Sequence, residues 1–266
     1  MNIALIVGCA RSGTSILGEL VGSHPDVKYI FEAHSIWEMA GYGENESHRL
    51  TEEKATPQIV ATVREWFSKQ QDSAVLLVEK NPRNVLRIPF ITKIFPEARI
   101  IHVVRDGRDV ACSLLPGIGG EDWMHLKPPS WKQFIQEIPI IRCAKVWREV
   151  LGIALNDLQK VPHLTVKYED LVLRNKMVAM DILRYLRLQV HENVSRLCEK
   201  IQNATANSYN AQHQVVWFKD DHQSRIGRWR ENLSLKEQET VQAIQKDLLV
   251  RLGYPLVSNY ADVPYQ

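Results

Sequence analysis

The stretch that decides the fold is Ile3-Ala4-Leu5-Ile6-Val7-Gly8-Cys9-Ala10-Arg11-Ser12-Gly13-Thr14-Ser15, followed by Ile16, Leu17 and Leu20. Ile3 to Val7 is a short, unbroken apolar run, the pattern of a strand buried on both faces of a parallel sheet. Ile16, Leu17 and Leu20 then recur at helical spacing. A strand, a glycine-bearing turn and a helix N-terminus together make an anion cradle. Backbone N–H groups point inward there, and the helix dipole favours negative charge. The spacing matches the phosphate-loop pattern G-x-x-x-x-G-K-[ST], with Thr14 in the lysine slot. That lysine serves the β/γ-phosphates of ATP or GTP, so its replacement argues against ordinary triphosphate hydrolysis. Arg11, inside the loop, offers a cation to a different anionic group. Read alone, the loop also fits a tight turn with no ligand.

Three further apolar runs read as buried strands: Ala74 to Val78, Ile100 to Val104, and Leu164 to Val166. Helical stretches lie between them. Thr56-Pro57 reads as an N-cap with proline in the first helical position, and Val60, Val63 and Phe67 follow. Val146, Val150 and Leu155 mark another helix. Ser234 and Glu237 form a capping box ahead of Val241, Ile244, Leu248 and Leu252, and Gly253 and Pro255 end that run. Strands alternating with helices predict an α/β fold with a mainly parallel sheet flanked by helices. No repeat or Gly/Ser linker divides the chain, so residues 1–266 are expected to form a single domain.

The chain has 266 residues, 45% of them hydrophobic and 24% charged, which suits a globular core and rules out a disordered chain. Lys and Arg number 33 against 31 Asp and Glu, so the net charge is +2. That balance excludes a nucleic-acid binder built on a broad basic face. Ile3–Val7 is far too short to cross a bilayer, and no basic segment precedes it as in a signal peptide. Cys9, Cys112, Cys143 and Cys198 lie far apart, without a C-x-x-C pair. Neither a zinc site nor a disulfide framework is expected, and a reducing, cytoplasmic location is.

A second signal follows the run Ile100 to Val104: Arg105-Asp106-Gly107-Arg108-Asp109-Val110-Ala111-Cys112-Ser113. Arg105 falls at the carboxyl end of a strand, where open α/β sheets gather ligands. Ser113 falls about two turns into the next helix. An arginine and a hydroxyl so placed can clamp a terminal phosphate. By themselves the two arginines and two aspartates also fit a solvated charged turn.

Together these segments resemble the P-loop sulfotransferase family, which uses 3'-phosphoadenylyl sulfate, and most of all its tyrosylprotein branch and bacterial relatives. Arg11-Ser12-Gly13-Thr14-Ser15 looks like that family's 5'-phosphosulfate loop. Val103-Val104-Arg105 through Ser113 looks like its 3'-phosphate element. The likeness continues through His24-Pro25-Asp26-Val27, Glu32, Glu79-Lys80-Asn81-Pro82, Phe95-Pro96, Lys167-Tyr168-Glu169-Asp170-Leu171, Gly227-Arg228-Trp229 and Leu252-Gly253-Tyr254. It therefore touches most of the chain.

The resemblance implies a P-loop nucleotide-hydrolase-like sulfotransferase fold and sulfuryl transfer without a metal. Adenosine 3',5'-bisphosphate would be the product. It implies that Glu32 takes the acceptor's proton, and a carboxylate in a partly buried cleft can have its pKa raised towards neutrality for such work. By itself, Glu32 also reads as an exposed acid at a loop or helix start. His34 is the competing base. Lys80 and Arg11 would stabilise charge on the oxygen bridging sulfate and phosphate. Without the resemblance, Lys80 reads as a surface lysine paired with Glu79. Arg11, Ser12, Gly13, Thr14, Ser15, Arg105 and Ser113 would hold the phosphates. Tyr168 would pack near adenine, and Arg228 and Trp229 would close over the cofactor, with Arg225 and Arg230 as alternatives. Arg83 is a further candidate for the anionic cleft, and Ser208 or Ser224 for an extra catalytic contact.

The acceptor is expected to be a hydroxyl on a peptide tyrosine, phenol, glycan or lipid. Trp123, His125, Trp131 and Phe134, beside Gly119-Gly120 and Pro128-Pro129, are candidates to shape its site, although two of the three rings also read as core. No nucleic-acid or membrane partner is expected, and an oligomer is left open. Two rival classes share this architecture. A small-molecule kinase needs an ATP-reading lysine where Thr14 stands. A non-catalytic nucleotide-binding module has no use for Glu32 and Lys80.

Overall fold

The computed structural model describes residues 1–39, 46–71, 73–115, 126–203 and 221–258. Its strands are β1 (Ile3–Gly8), β2 (Val27–Phe31), β3 (Leu76–Lys80), β4 (Arg99–Val104) and β5 (His163–Lys167). All neighbours pair in parallel, in the order β2-β3-β1-β4-β5. The α/β expectation is correct.

Strand periodicity of two explains why the central runs are apolar throughout. Ile3, Leu5 and Val7 of β1, with Leu77, Ile100 and Val104, join one buried cluster. Ala4 and Ile6, with Leu76, Val78, Ile101, Val103 and Val166, join a second on the opposite face. Helices α3 (Pro57–Gln70), α4 (Ile88–Ile94), α5 (Gly107–Leu114), α7 (Pro139–Asp157) and α12 (Leu235–Arg251) supply the first cluster. Helices α1 (Thr14–Gly22), α8 (Tyr168–Leu173), α9 (Asn175–Leu186) and α10 (Glu192–Asn203) supply the second. Short helices α2 (His34–Glu38), α6 (Trp131–Phe134) and α11 (Trp229–Asn232) sit in the connections.

The caps read from sequence are present. Thr56 accepts from the Ile59 N–H, and Ser234 and Glu237 bond reciprocally at the start of α12. Each such cap is worth about 1 kcal/mol.

Two expectations need correction. The run beginning at Ala74 becomes a strand only from Leu76, because its ladder with β2 starts at the Val27–Leu76 pair and Val75 is exposed. Strand β2 was not expected at all. It is a half-buried edge strand, and Lys28 interrupts the apolar pattern that marks the central strands.

Candidate active site

The chain runs from β1 outward to β2, returns to β3, and then crosses to β4 on the other side of β1. The crevice at the carboxyl ends of β1, β3 and β4 is the topological switch point where such sheets bind ligands. Gly8, Lys80 and Arg105 end or follow these three strands.

Residues 9–13 turn tightly, with the Ser12 N–H donating to the Cys9 carbonyl at 3.1 Å. Arg11 (φ 69°) and Gly13 (φ 95°) are both left-handed. Glycine at 13 is required twice over, since a Cβ there would lie 2.3 Å from the Tyr168 ring. No side chain caps α1, which leaves its first N–H groups unclaimed by a cap next to the carboxyl end of β1.

Around this turn stand four arginines. Arg11 Nε donates to Ser113 Oγ at 2.8 Å. Arg105 donates to the Arg11 carbonyl at 3.1 Å and to the Arg225 carbonyl at 2.5 Å. Burial, together with the charges of Arg225, Arg105 and Arg228, lowers the Arg11 pKa to about 10. Burial likewise lowers Arg225. Such a concentration of cations needs an anion, and the orphaned groups point the same way. Ser12 Oγ, Arg105 Nε and Arg228 Nε are buried with no hydrogen-bond partner among the described residues. These donors fit a phosphorylated ligand.

Asp109 holds this end together. Its carboxylate accepts from the N–H of Gly227 at 2.8 Å and of Trp229 at 3.1 Å, and lies 3.9 Å from Arg105. Burial raises its pKa to about 6, against the pull of Arg105. The sequence shows Asp109 only as a charge in a turn, because the two N–H groups it accepts from lie more than a hundred residues away.

At the other end, Lys80 Nζ is buried, 2.5 Å from Glu32 Oε1 and 3.7 Å from the centre of the Phe31 ring. The other Glu32 oxygen lies 3.0 Å from His34 Nε2. Burial alone would raise Glu32. The His34 hydrogen bond and the Lys80 charge outweigh it and hold the carboxyl at about 2. Two unit charges about 4 Å apart attract by ~4 kcal/mol in an effective dielectric near 20, and the burial of Lys80 offsets part of that attraction. The expectation of a Glu32 pKa raised towards neutrality is therefore overturned for the resting site. Burial lowers Lys80 against the attraction of Glu32. Glu32 also sits at φ 47°, a left-handed strain of about 1–2 kcal/mol for a non-glycine residue.

Lys80 does not pair with Glu79. Alternation along β3 sends Glu79 to the opposite face, where Trp37 and Asn84 donate to it. Burial there raises its pKa to about 7.

Two aromatic assignments need correction. Tyr168 is buried with Arg105 stacked 4.3 Å from its ring centre, so it backs the loop instead of offering a free face to adenine. Trp229 is fully buried in the core between Arg108 and Arg230, at 4.2 and 4.4 Å. It anchors the late segment and has no face open to a base. Arg228 and Arg225 remain beside Arg11, whereas Arg230 is exposed and stacks on Trp229.

Thr14 is buried and Ser15 half-buried in the first turn of α1. Arg83 pairs with Glu38 at 3.2 Å. Ser224 is exposed and bonded to Asp221. Trp131 is core and Phe134 half-buried. Trp123, His125, Gly119-Gly120 and Ser208 lie outside the described residues.

Fold and site together define an α/β protein with a phosphate-loop crevice whose unpartnered donors fit a phosphorylated anion, beside a lysine–glutamate pair. The sulfotransferase family profile matches residues 4–192, and the chain belongs to that family.

It is 25% identical to protein-tyrosine sulfotransferase 1 of Danio rerio, over 96% of this chain and 72% of the relative. It is also 25% identical to nodulation protein NoeE of Sinorhizobium fredii, over 95% of this chain and 66% of the relative. Against the Drosophila melanogaster protein-tyrosine sulfotransferase the match spans only 38% of the relative's length. The sulfotransferase domain from the curacin biosynthetic pathway superposes with a TM-score of 0.64 at 16% identity, covering 96% of this chain and 98% of that one. A mouse sulfotransferase complexed with PAP gives 0.56 at 13% identity, covering 93% and 84%. These superpositions establish the shared fold.

Proposed function

We propose that this protein transfers a sulfuryl group from 3'-phosphoadenylyl sulfate to an acceptor hydroxyl. The observation that carries the reading is the set of buried, unpartnered donors around the loop, Ser12 Oγ, Arg105 Nε and Arg228 Nε, within a crevice that also holds Lys80. The donor supplies an already activated sulfuryl group: its S–O bond to phosphate breaks as the acceptor oxygen bonds to sulfur. Arg105, Ser113, Arg225 and Arg228 bind the 3'-phosphate end. Arg11, Ser12, Gly13, Thr14 and Ser15 bind the 5' end through side chains and the uncapped helix start.

Lys80 is the cation set to stabilise negative charge on the leaving oxygen. Glu32 accepts the acceptor's proton. With its pKa at about 2 in the resting site it is a poor base, and it gains basicity only when an anion in the crevice competes for the Lys80 ammonium. Phe31, half exposed beside this pair, suits an acceptor with an aromatic or apolar body. The protein-tyrosine sulfotransferases among the relatives make a phenolic hydroxyl the first acceptor to test, ahead of glycans and lipids.

Calorimetry with adenosine 3',5'-bisphosphate, beside ATP with magnesium, tests the reading. Tight, metal-independent binding of the bisphosphate alone supports it. Preference for ATP with magnesium would replace it with a kinase. Binding of neither would leave the loop without a nucleotide role.

A further inference from the structure

The acceptor base has a second partner, His34, which is itself anchored by a neighbouring amide. Asn81 caps the short turn after β3, and its Oδ1 accepts from the Arg83 N–H at 3.0 Å. That bond settles which end of the amide faces outward. The NH2 group, 3.4 Å from His34 Nδ1, must be the donor of that contact. The same side chain also lowers the pKa of Glu79, as an amide donor does. His34 Nδ1 is therefore an acceptor. The ring proton lies on Nε2, aimed at Glu32 Oε2 3.0 Å away.

We propose that His34 is a positioning residue, oriented with its Nε2–H towards Glu32 by the Asn81 amide, that fixes one oxygen of Glu32 and leaves the other for the acceptor. The two carboxylate oxygens then have separate duties. Oε2 is tied to His34. Oε1, now bonded to Lys80, is the one that can take a proton. His34 cannot itself be the base towards Glu32's side of the crevice, because its nitrogen there already carries hydrogen.

Backbone geometry supports this division. The Glu32 N–H continues the sheet ladder to the Lys80 carbonyl at 2.9 Å, and the left-handed turn at Glu32 swings the chain into α2. His34 thus begins the helix two residues after the group it holds. Other titratable groups facing the pair are Lys80 from β3, Tyr29 on β2 and His48. None of them takes the Asn81 contact.

The assignment of Glu32 as acceptor base rests on the sulfuryl-transfer reading. The test needs neither donor nor acceptor, so the two fail separately. Loss of bisphosphate binding would sink that reading while leaving the His34 result standing. The full chain is labelled with ring-15N histidine and δ-13C glutamate, with peaks assigned from Glu32→Gln and His34→Gln spectra. The expected result is a His34 ring proton on Nε2, pointed at Glu32. His34→Ala should raise the Glu32 midpoint, and His34→Gln, which keeps a donor at the same place, should restore most of the shift. A His34 ring whose Nε2 carries no proton would overturn the proposal. So would a Glu32 midpoint unmoved by His34→Ala.

Discussion

Replacing Lys80 with methionine separates transition-state stabilisation from nucleotide binding. Methionine keeps the buried stem's packing and removes only the charge. That charge sits 2.5 Å from Glu32 Oε1 and 3.7 Å from the Phe31 ring centre, in a fully buried position. Loss of one preorganised cation from a transition state costs ~3–4 kcal/mol, about a 100- to 1,000-fold fall in turnover. Affinity for adenosine 3',5'-bisphosphate should change less than about 3-fold, because that product has no sulfuryl group for Lys80 to meet.

A second readout follows from Glu32. Burial pushes its pKa up, and His34 and Lys80 together bring it down to about 2 from the ordinary 4.5. A depressed carboxyl stabilises the fold above its unfolded pKa, and that contribution is lost as pH falls from about 4.5 towards 2. Without Lys80 the folded pKa rises, so this acid-dependent stabilisation shrinks. Single-turnover transfer to a panel of phenols, calorimetry of the bisphosphate and an acid titration of Tm make the comparison. Equal losses in turnover and in bisphosphate affinity would refute the reasoning and make Lys80 a plain binding or structural lysine.

Arg105→Ala removes the donor to the Arg11 and Arg225 carbonyls, so the preference for the bisphosphate over 5'-AMP should fall about 10- to 100-fold in competition binding. Asp109→Asn should weaken the hold on the late segment, and amide exchange at Gly227 and Trp229 should quicken about 10- to 100-fold by mass spectrometry or NMR. His102 is fully buried with both ring nitrogens unpartnered among the described residues, and burial lowers its pKa to about 3. Below pH 6.5 the unfolded chain binds a proton that the folded chain refuses, so stability falls by about 1.4 kcal/mol per pH unit towards pH 3. His102→Leu should therefore gain about 2 kcal/mol more over the parent at pH 5 than at pH 8 in denaturant melts.

Some of the site was legible because its signals are local. The anion loop depends on backbone spacing within a dozen residues, so Gly13 and the start of α1 could be read directly. Arg105 and Ser113 follow one strand and one helix, and helical periodicity places them. The caps at Thr56 and Ser234 are likewise settled within four residues. Strand β2 escaped because an edge strand is half-buried and carries no unbroken apolar run. Tyr168 and Trp229 were misplaced because an aromatic beside a basic motif reads the same whether it faces a ligand or the core.

By itself, then, the sequence determined the alternating α/β order, the loop and the residue types of both ends of the crevice, since these follow from local periodicity and backbone geometry. Tertiary structure decided the chemistry of those residues. It set Lys80 against Glu32 rather than Glu79, because strand alternation and neighbouring strands assign each side chain its face. It brought Asp109 to the late segment and Asn81 to His34 across long stretches of chain. Protonation state and hydrogen-bond direction depend on burial and on distant partners, and neither is written in local sequence.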